Sequence, residues 1–114
     1  MSGEEVARAM TTYGERYLKR IYTDEERSHA RDRPLALAAR FAAKEATLKA
    51  LRRGDEPVDW RSIAVSHDAA GRPSLRLSRA AGDLARRCGV RRLELSFGYQ
   101  RRLAVAIVLA ELEP

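Results

Sequence analysis

The feature that most constrains the fold is a helix-forming stretch over residues 35–51. It contains no glycine, no proline and, apart from Thr47, no β-branched residue, so its helix propensity is high throughout. Pro34 stands immediately before the stretch, which suits the first turn of a helix. Gly54 follows it, where a C-terminal cap is expected. Because most of its surface is apolar, we expect one long helix that is buried in the domain.

Successive helix residues are about 100° apart, which sorts the side chains of this stretch into three faces. Arg40, Lys44 and Thr47 share one face, and Glu45 and Lys49 lie together on the edge of another. Glu45 and Lys49 have the spacing of an ordinary i,i+4 ion pair. Charged groups on a buried helix otherwise need a ligand or partner, so both interpretations stay open. The third face is a stripe of alanines suited to close approach to a sheet: Ala38, Ala39, Ala42 and Ala46.

The remaining pattern predicts a single α+β domain over residues 1–114, with the long helix and shorter helices packed on a small antiparallel sheet. We expect the first helix to be interrupted at Gly14 and a short helix to begin after Thr23, which is a typical N-cap. The last strand is apolar without interruption, which is typical of a fully buried strand. In chain order, the predicted elements are helices over 4–21 and from 24, the long helix, strands near 59–65 and 74–77, a helix over 79–88, and strands over 93–97 and 103–109.

Charge and composition limit the candidate partners. The chain has 22 Lys and Arg residues against 16 Asp and Glu residues, a formal net charge of +6, which is compatible with nucleic acid, anionic lipid, an acidic protein or a phosphate-rich ligand. Aromatic residues make up 6%, few for stacking on bases, so nucleic acid is not favoured. No apolar run has the length of a membrane span or the pattern of a signal peptide. With Cys88 as the single cysteine, we expect a cytoplasmic protein without an intramolecular disulfide.

The long helix carries the run RFAAKEA at positions 40–46, followed by Lys49. This motif resembles the signature helix of the small holo-acyl-carrier-protein synthases, the single-domain 4'-phosphopantetheinyl transferases. The order of flanking elements extends the resemblance from Tyr13 to Glu111. It implies Mg2+-dependent transfer of 4'-phosphopantetheine from coenzyme A to a serine of an apo-acyl carrier protein. It also implies a homotrimer with sites between subunits.

The resemblance assigns roles to particular side chains. Glu45 is expected to bind Mg2+ and to act in catalysis together with Lys49. The expected contacts with coenzyme A come from Arg40, Lys44, Lys49 and Ser96. In this family a basic early helix docks the acidic recognition helix of the carrier protein, and the matching charges here are Arg8, Arg16, Lys19 and Arg20. An ordinary solvated helix face would carry the same charges. Glu26 completes a Thr-x-x-Glu pattern of the family, for which a helix cap is a sufficient explanation.

Two parts of the family pattern differ in this chain. The resemblance implies an N-terminal strand with an Asp that shares the Mg2+, and we expect that strand to be missing because Met1 stands downstream of its place. The family's Ser-x-Ser/Thr-His motif aligns with Ser96, Phe97, Gly98 and Tyr99, so only its first serine is kept. Mg2+ is often held by one or two carboxylates together with phosphates and water, so Glu45 could still serve. The alternative is a degenerate homologue that binds acyl carrier protein or coenzyme A without turnover.

Overall fold

The computed structural model describes residues 1–51 and 58–114, and within these ranges it has the predicted α+β architecture. No helix in this part of the chain is both long enough and apolar enough to cross a bilayer. In chain order the elements are α1 Gly3–Tyr13, α2 Glu15–Ile21, α3 Asp24–Ala30, α4 Pro34–Ala50, a 3-10 helix Trp60–Ser62, β1 Ile63–His67, β2 Pro73–Leu77, α5 Arg79–Arg87, β3 Val90–Gln100 and β4 Leu103–Leu112.

The local signals for helix ends are confirmed in the N-terminal half. Gly14 separates α1 from α2 with a φ of 59°, a conformation that glycine adopts without steric cost. Thr23 and Glu26 form a capping box at the start of α3, in which each side chain accepts a hydrogen bond from the other residue's backbone N–H. Pro34 opens α4, as expected. The α4 C-cap is Leu51, whereas Gly54 lies outside the described residues.

The described strands form two separate two-stranded sheets, where one small sheet was expected. β1 pairs with β2, and β3 pairs with β4, both in antiparallel register. At the start of β4, the Ala104 N–H donates to the Met1 carbonyl at 3.0 Å, and the Gly3 N–H donates to the Arg102 carbonyl at 3.1 Å. Residues 1–3 therefore lie along the first part of the free edge of β4.

The long helix α4 lies in the centre of the domain, against β3, β4, α1, α3 and β1. Ala38 and Ala39 are completely buried, but Ala42 and Ala46 are only half-buried. Instead, the face of α4 that carries Arg40, Lys44 and Thr47 is buried, and these residues are 5%, 0% and 0% exposed. The alanine pattern alone therefore gave the wrong rotation of α4 about its axis, because polar residues with partners inside the fold can be buried too.

The prediction of a fully buried last strand is wrong for the single chain. Alternate residues of β4 face α4, beginning with Ala104, and the intervening residues face outward. Those outward residues are large and apolar, with exposed fractions of 55–65%: Leu103, Val105, Ile107 and Leu109. An uninterrupted apolar strand indicates two covered faces, and this structure covers only one of them.

The turn between α3 and α4 depends on Arg27. Its guanidinium donates to both carboxylate oxygens of Glu15, at 2.9 and 2.8 Å, and to both of Asp32, at 3.0 and 2.8 Å. These four bonds join α2 and α3 to a turn in which Arg31 and Asp32 have φ values of 54° and 50°. The hydrogen bonds from Arg27 lower the pKa of both the Glu15 and the Asp32 carboxyl groups.

We predict that Arg27→Gln lowers the urea midpoint of unfolding at neutral pH. A carboxyl group with a lowered pKa adds stability above its unfolded-state pKa of roughly 4, and that stability is lost as pH falls through the lower folded-state value. The difference between Arg27→Gln and wild type should therefore be largest at neutral pH and shrink in acid. Arg31→Gln, which removes an exposed charge from the same turn, is the control. An Arg27→Gln deficit that stays constant into acid would contradict the role given to these two carboxylates.

Candidate functional site

Lys44 is completely buried, and its ammonium group is fully bonded to the protein. The Nζ atom lies 2.8 Å from Glu26 Oε1 and donates to the backbone carbonyls of Trp60 at 3.0 Å and Ile63 at 2.6 Å. An ammonium group has three N–H donors, so these three acceptors use all of them. Burial lowers the pKa of Lys44, and the Glu26 carboxylate opposes that shift. Contact with a phosphate, as predicted from the resemblance, would require breaking at least one of these bonds.

Glu26 is the partner of Lys44 and is also completely buried. Its Oε1 atom accepts the Thr23 N–H at 2.8 Å, and its Oε2 atom accepts the Val65 N–H at 2.8 Å. A buried carboxylate with these donors and a buried ammonium is well compensated. The sequence signal is the Thr-x-x-Glu pattern, which by itself predicts only a helix cap. The additional signal was a lysine on a buried helix face, which requires an acceptor somewhere in the fold.

Arg40, one turn before Lys44, points toward β3. Its guanidinium donates to the Ala36 carbonyl at 2.9 Å and lies 5.4 Å from the centre of the Phe97 ring, a distance typical of a cation–π contact. Burial lowers the pKa of Arg40. Within the described residues, its Nε–H has no hydrogen-bond partner. One N–H of this predicted coenzyme A ligand is therefore without an acceptor in the part of the chain that the structure describes.

Glu45 and Lys49 have a different environment from Lys44, although Glu45 is its immediate neighbour. Glu45 is half-buried and Lys49 is exposed. Among the described residues neither side chain forms a hydrogen bond or an ion pair, so the ordinary i,i+4 pair between them is not present. Carboxylate oxygens are ligands that Mg2+ prefers, and the unpaired Glu45 carboxylate fits that role. Residues 1–51 and 58–114 contain no cluster of three or more metal-ligating side chains.

Ser96 lies apart from the charged residues of α4. It is exposed on β3, next to the half-buried Phe97, and adjacent strand residues point to opposite faces. Its partner in the register is Ile107, so Ser96 shares the outer face of the β3–β4 hairpin with the exposed apolar residues of β4. A single chain therefore does not bring Ser96 together with Glu45 and Lys49 on the same surface.

The four basic residues predicted to bind a partner are all exposed on the first two helices. Arg16 and Arg20 on α2 line one cleft of about 660 Å³, together with Tyr13, Tyr17, Ile21 and Trp60. Arg8 lies on α1, and Arg8 and Lys19 do not line this cleft. The structure thus gathers two of the four charges around an aromatic cleft.

Comparison with known proteins identifies the family. A sequence model described as the 4'-phosphopantetheinyl transferase superfamily matches residues 4–108. A holo-(acyl-carrier-protein) synthase from Paramagnetospirillum magneticum is 44% identical over 115 residues, which covers 93% of this chain and 86% of that protein. The chain belongs to the 4'-phosphopantetheinyl transferase superfamily.

Solved structures agree with this assignment. The crystal structure of holo-(acyl-carrier-protein) synthase from Neisseria meningitidis is 33% identical, with a TM-score of 0.86 over 97% of this chain and 92% of that chain. A coenzyme A complex from Chronobacterium ammoniagenes is 26% identical, with a TM-score of 0.80 over 100% of this chain and 93% of that chain. The predicted family and fold are therefore confirmed.

Proposed function

We propose that this chain is a holo-acyl-carrier-protein synthase, which transfers 4'-phosphopantetheine from coenzyme A to a serine hydroxyl of an apo-acyl carrier protein in the cytoplasm. The observation that carries the proposal is the unpaired Glu45 carboxylate on the signature helix of a chain that matches the superfamily over residues 4–108. The printed names of its relatives, and a neighbour with coenzyme A bound, support this substrate pair.

Glu45 and Lys49 would be the catalytic residues of α4. Mg2+ held by Glu45 would supply positive charge to the diphosphate of coenzyme A. Lys49, four residues later on the same helix, places a free ammonium where it can bond a phosphate oxygen. The serine oxygen forms a bond to the phosphorus that bears the pantetheine arm. The bond from that phosphorus to the bridging oxygen of the diphosphate breaks, and the nucleotide leaves with that oxygen. The serine proton would pass to water or to the Glu45 carboxylate.

Two further residues would bind coenzyme A. The unsatisfied Nε–H of Arg40 supports its predicted role, because a phosphate oxygen would provide the missing acceptor. Ser96 would supply a hydroxyl from the outer face of the hairpin. Lys44 has no free donor in this structure, so we do not propose a direct contact between Lys44 and coenzyme A.

The cleft at Arg16 and Arg20 would bind the acidic carrier protein. Its positive charge provides electrostatic complementarity, and Tyr13 and Trp60 at the same cleft provide aromatic contact area for apolar side chains of the partner. Arg8 and Lys19 would extend the positive surface along α1 and α2.

We also propose that the chain forms a homotrimer through the outer face of the β3–β4 hairpin. Leu103, Val105, Ile107 and Leu109 are more than half exposed there, and a contiguous apolar patch of this kind is typical of an interface. Ser96 lies on this same face. Assembly would therefore bring Ser96 of one chain to a neighbouring chain, which offers a way to complete sites between subunits.

The transfer activity can be tested by intact-mass spectrometry of an apo-acyl carrier protein incubated with this chain, coenzyme A and Mg2+. We expect a phosphopantetheine adduct with wild type, and a rate roughly 100-fold lower with Glu45→Gln. Glu113→Gln, an exposed carboxylate outside the site, should match wild type. Coenzyme A binding without any adduct would contradict the enzyme proposal and favour the binding homologue.

The docking surface can be tested with the double variant Arg16→Glu and Arg20→Glu. We expect the KM for carrier protein to rise by about tenfold or more, with little change in the KM for coenzyme A, because the reversed charges repel an acidic partner. Arg76→Glu, which reverses an exposed charge on β2, is the matched control. Equal changes for the cleft variant and the control would exclude a specific docking cleft.

The trimer can be tested by sedimentation of Ile107→Glu. This side chain is 59% exposed in the single chain, so a charge there should leave the monomer folded and disrupt an apolar interface. We expect wild type to sediment as a trimer and Ile107→Glu as a monomer with an unchanged circular dichroism spectrum. Arg76→Glu again serves as the control. A monomeric wild type at assay concentration would contradict the proposal.

A further inference from the structure

The buried pair of Glu26 and Lys44 connects four segments of the chain. Glu26 lies on α3 and Lys44 on α4, and between them they bond the 3-10 helix at Trp60 and strand β1 at Ile63 and Val65. Both side chains are 0% exposed. Every bond in this group joins different segments, except the one within the α3 cap.

This pair fixes the rotation of α4 about its axis. The buried side of α4 is otherwise rich in alanine, notably Ala36, Ala38, Ala39 and Ala43, and such short side chains provide few ridges to interlock with neighbouring elements. Hydrogen bonds, in contrast, depend strongly on direction. Rotation of α4 would move the Lys44 ammonium away from three acceptors at once, and it would leave two charges buried without their partners.

The rotation of α4 decides where its functional side chains point. Glu45 follows Lys44 by one residue, about 100° around the helix, and Lys49 is one turn further along. At roughly 5 Å from the helix axis, a rotation of about 20° displaces a side chain by about 2 Å. A misplacement of about 1 Å can cost about 100-fold in rate.

The same ammonium also holds one wall of the candidate docking cleft. Lys44 bonds the carbonyl of Trp60, and the Trp60 ring packs edge-on against Phe41 with centroids 5.2 Å apart. Trp60 lines the cleft with Arg16 and Arg20. The position of the cleft wall and the direction of the α4 surface that carries Glu45 therefore both depend on the buried Glu26–Lys44 pair.

We propose that Glu26 and Lys44 are positioning residues of the transferase. Their pairing sets the direction of Glu45 and Lys49 and holds Trp60 at the docking cleft, and neither residue touches substrate. This inference rests on the proposed function, and it differs from the resemblance, which makes Lys44 a direct phosphate ligand and leaves Glu26 as a helix cap.

The experiment compares Glu26→Gln, Lys44→Met and the double variant with wild type. Thr47→Val is the matched control, because Thr47 is also completely buried on this side of α4, but among the described residues its hydroxyl bonds only the Ala43 carbonyl of its own helix. The double variant removes both charges together, which avoids the unpaired buried charge that each single variant creates. The measurements are the thermal midpoint, kcat, KM for each substrate, and the Mg2+ concentration for half-maximal rate and for half-maximal coenzyme A binding.

We expect the double variant to fold, with a kcat lowered by about tenfold or more and a raised Mg2+ requirement. Each folded single variant should show the same changes, and the double variant should be no worse than either. Thr47→Val should lower the thermal midpoint while kcat stays within about twofold of wild type. This pattern separates positioning from a general loss of stability.

Two outcomes overturn the inference while the transferase activity stands. One is a folded double variant with the kcat and Mg2+ requirement of wild type. The other is a Lys44→Met variant with a raised KM for coenzyme A beside a Glu26→Gln variant that matches wild type, because Lys44 would then contact phosphate directly. If wild type gives no adduct but binds coenzyme A, the proposed function fails. The positioning role is then decided by comparing the Mg2+ concentration for half-maximal coenzyme A binding between the variants and wild type. Wild type that binds no coenzyme A overturns both.

Discussion

The burial of one lysine charge is the constraint on which the rest of this structure depends. Removing an ammonium group from water costs much free energy unless its donors find acceptors, and Lys44 finds three of them, on α3, the 3-10 helix and β1. The Glu26 carboxylate pairs with the Lys44 ammonium and also accepts hydrogen bonds from two backbone N–H groups. The long helix, the capped helix before it and the first strand are thereby held in one arrangement. The alanine-rich surface of α4 makes a close fit possible, and the polar pair makes it specific.

How much of this could be predicted from the sequence depends on how local each signal is. The long helix, its proline at the start, the break at Gly14 and the cap at Thr23 depend on neighbouring residues, and they were predicted correctly. The pairing of Glu26 with Lys44 joins residues far apart in sequence, of types that are rarely buried, so a pattern within one helix could not find it. The outward half of β4 has the same apolar composition as its inward half. Composition therefore could not indicate which side the single chain leaves exposed.

The candidate site also combines features that a local motif predicts with features that only the tertiary fold decides. The helix motif assigned Lys44, Glu45 and Lys49 to one site, but in the structure Lys44 is completely buried, Glu45 is half-buried and Lys49 is exposed. Neighbouring helix positions point about 100° apart, and here that angle separates the half-buried carboxylate of Glu45 from the fully bonded ammonium of Lys44. Ser96 faces away from both, on the outer surface of the hairpin. A motif defines which residues are present, whereas the tertiary fold decides which of them share a surface.

The position of Trp60 has a practical consequence. It is the chain's single tryptophan, and its carbonyl is bonded to the buried lysine. Its ring packs against Phe41, and the residue lines the cleft that contains two arginines. Fluorescence excited selectively at the indole therefore comes from one known position in the protein. Its emission responds to solvent and to nearby charge, so the wild-type chain carries an intrinsic optical probe at the junction between its core and its cleft, without any label.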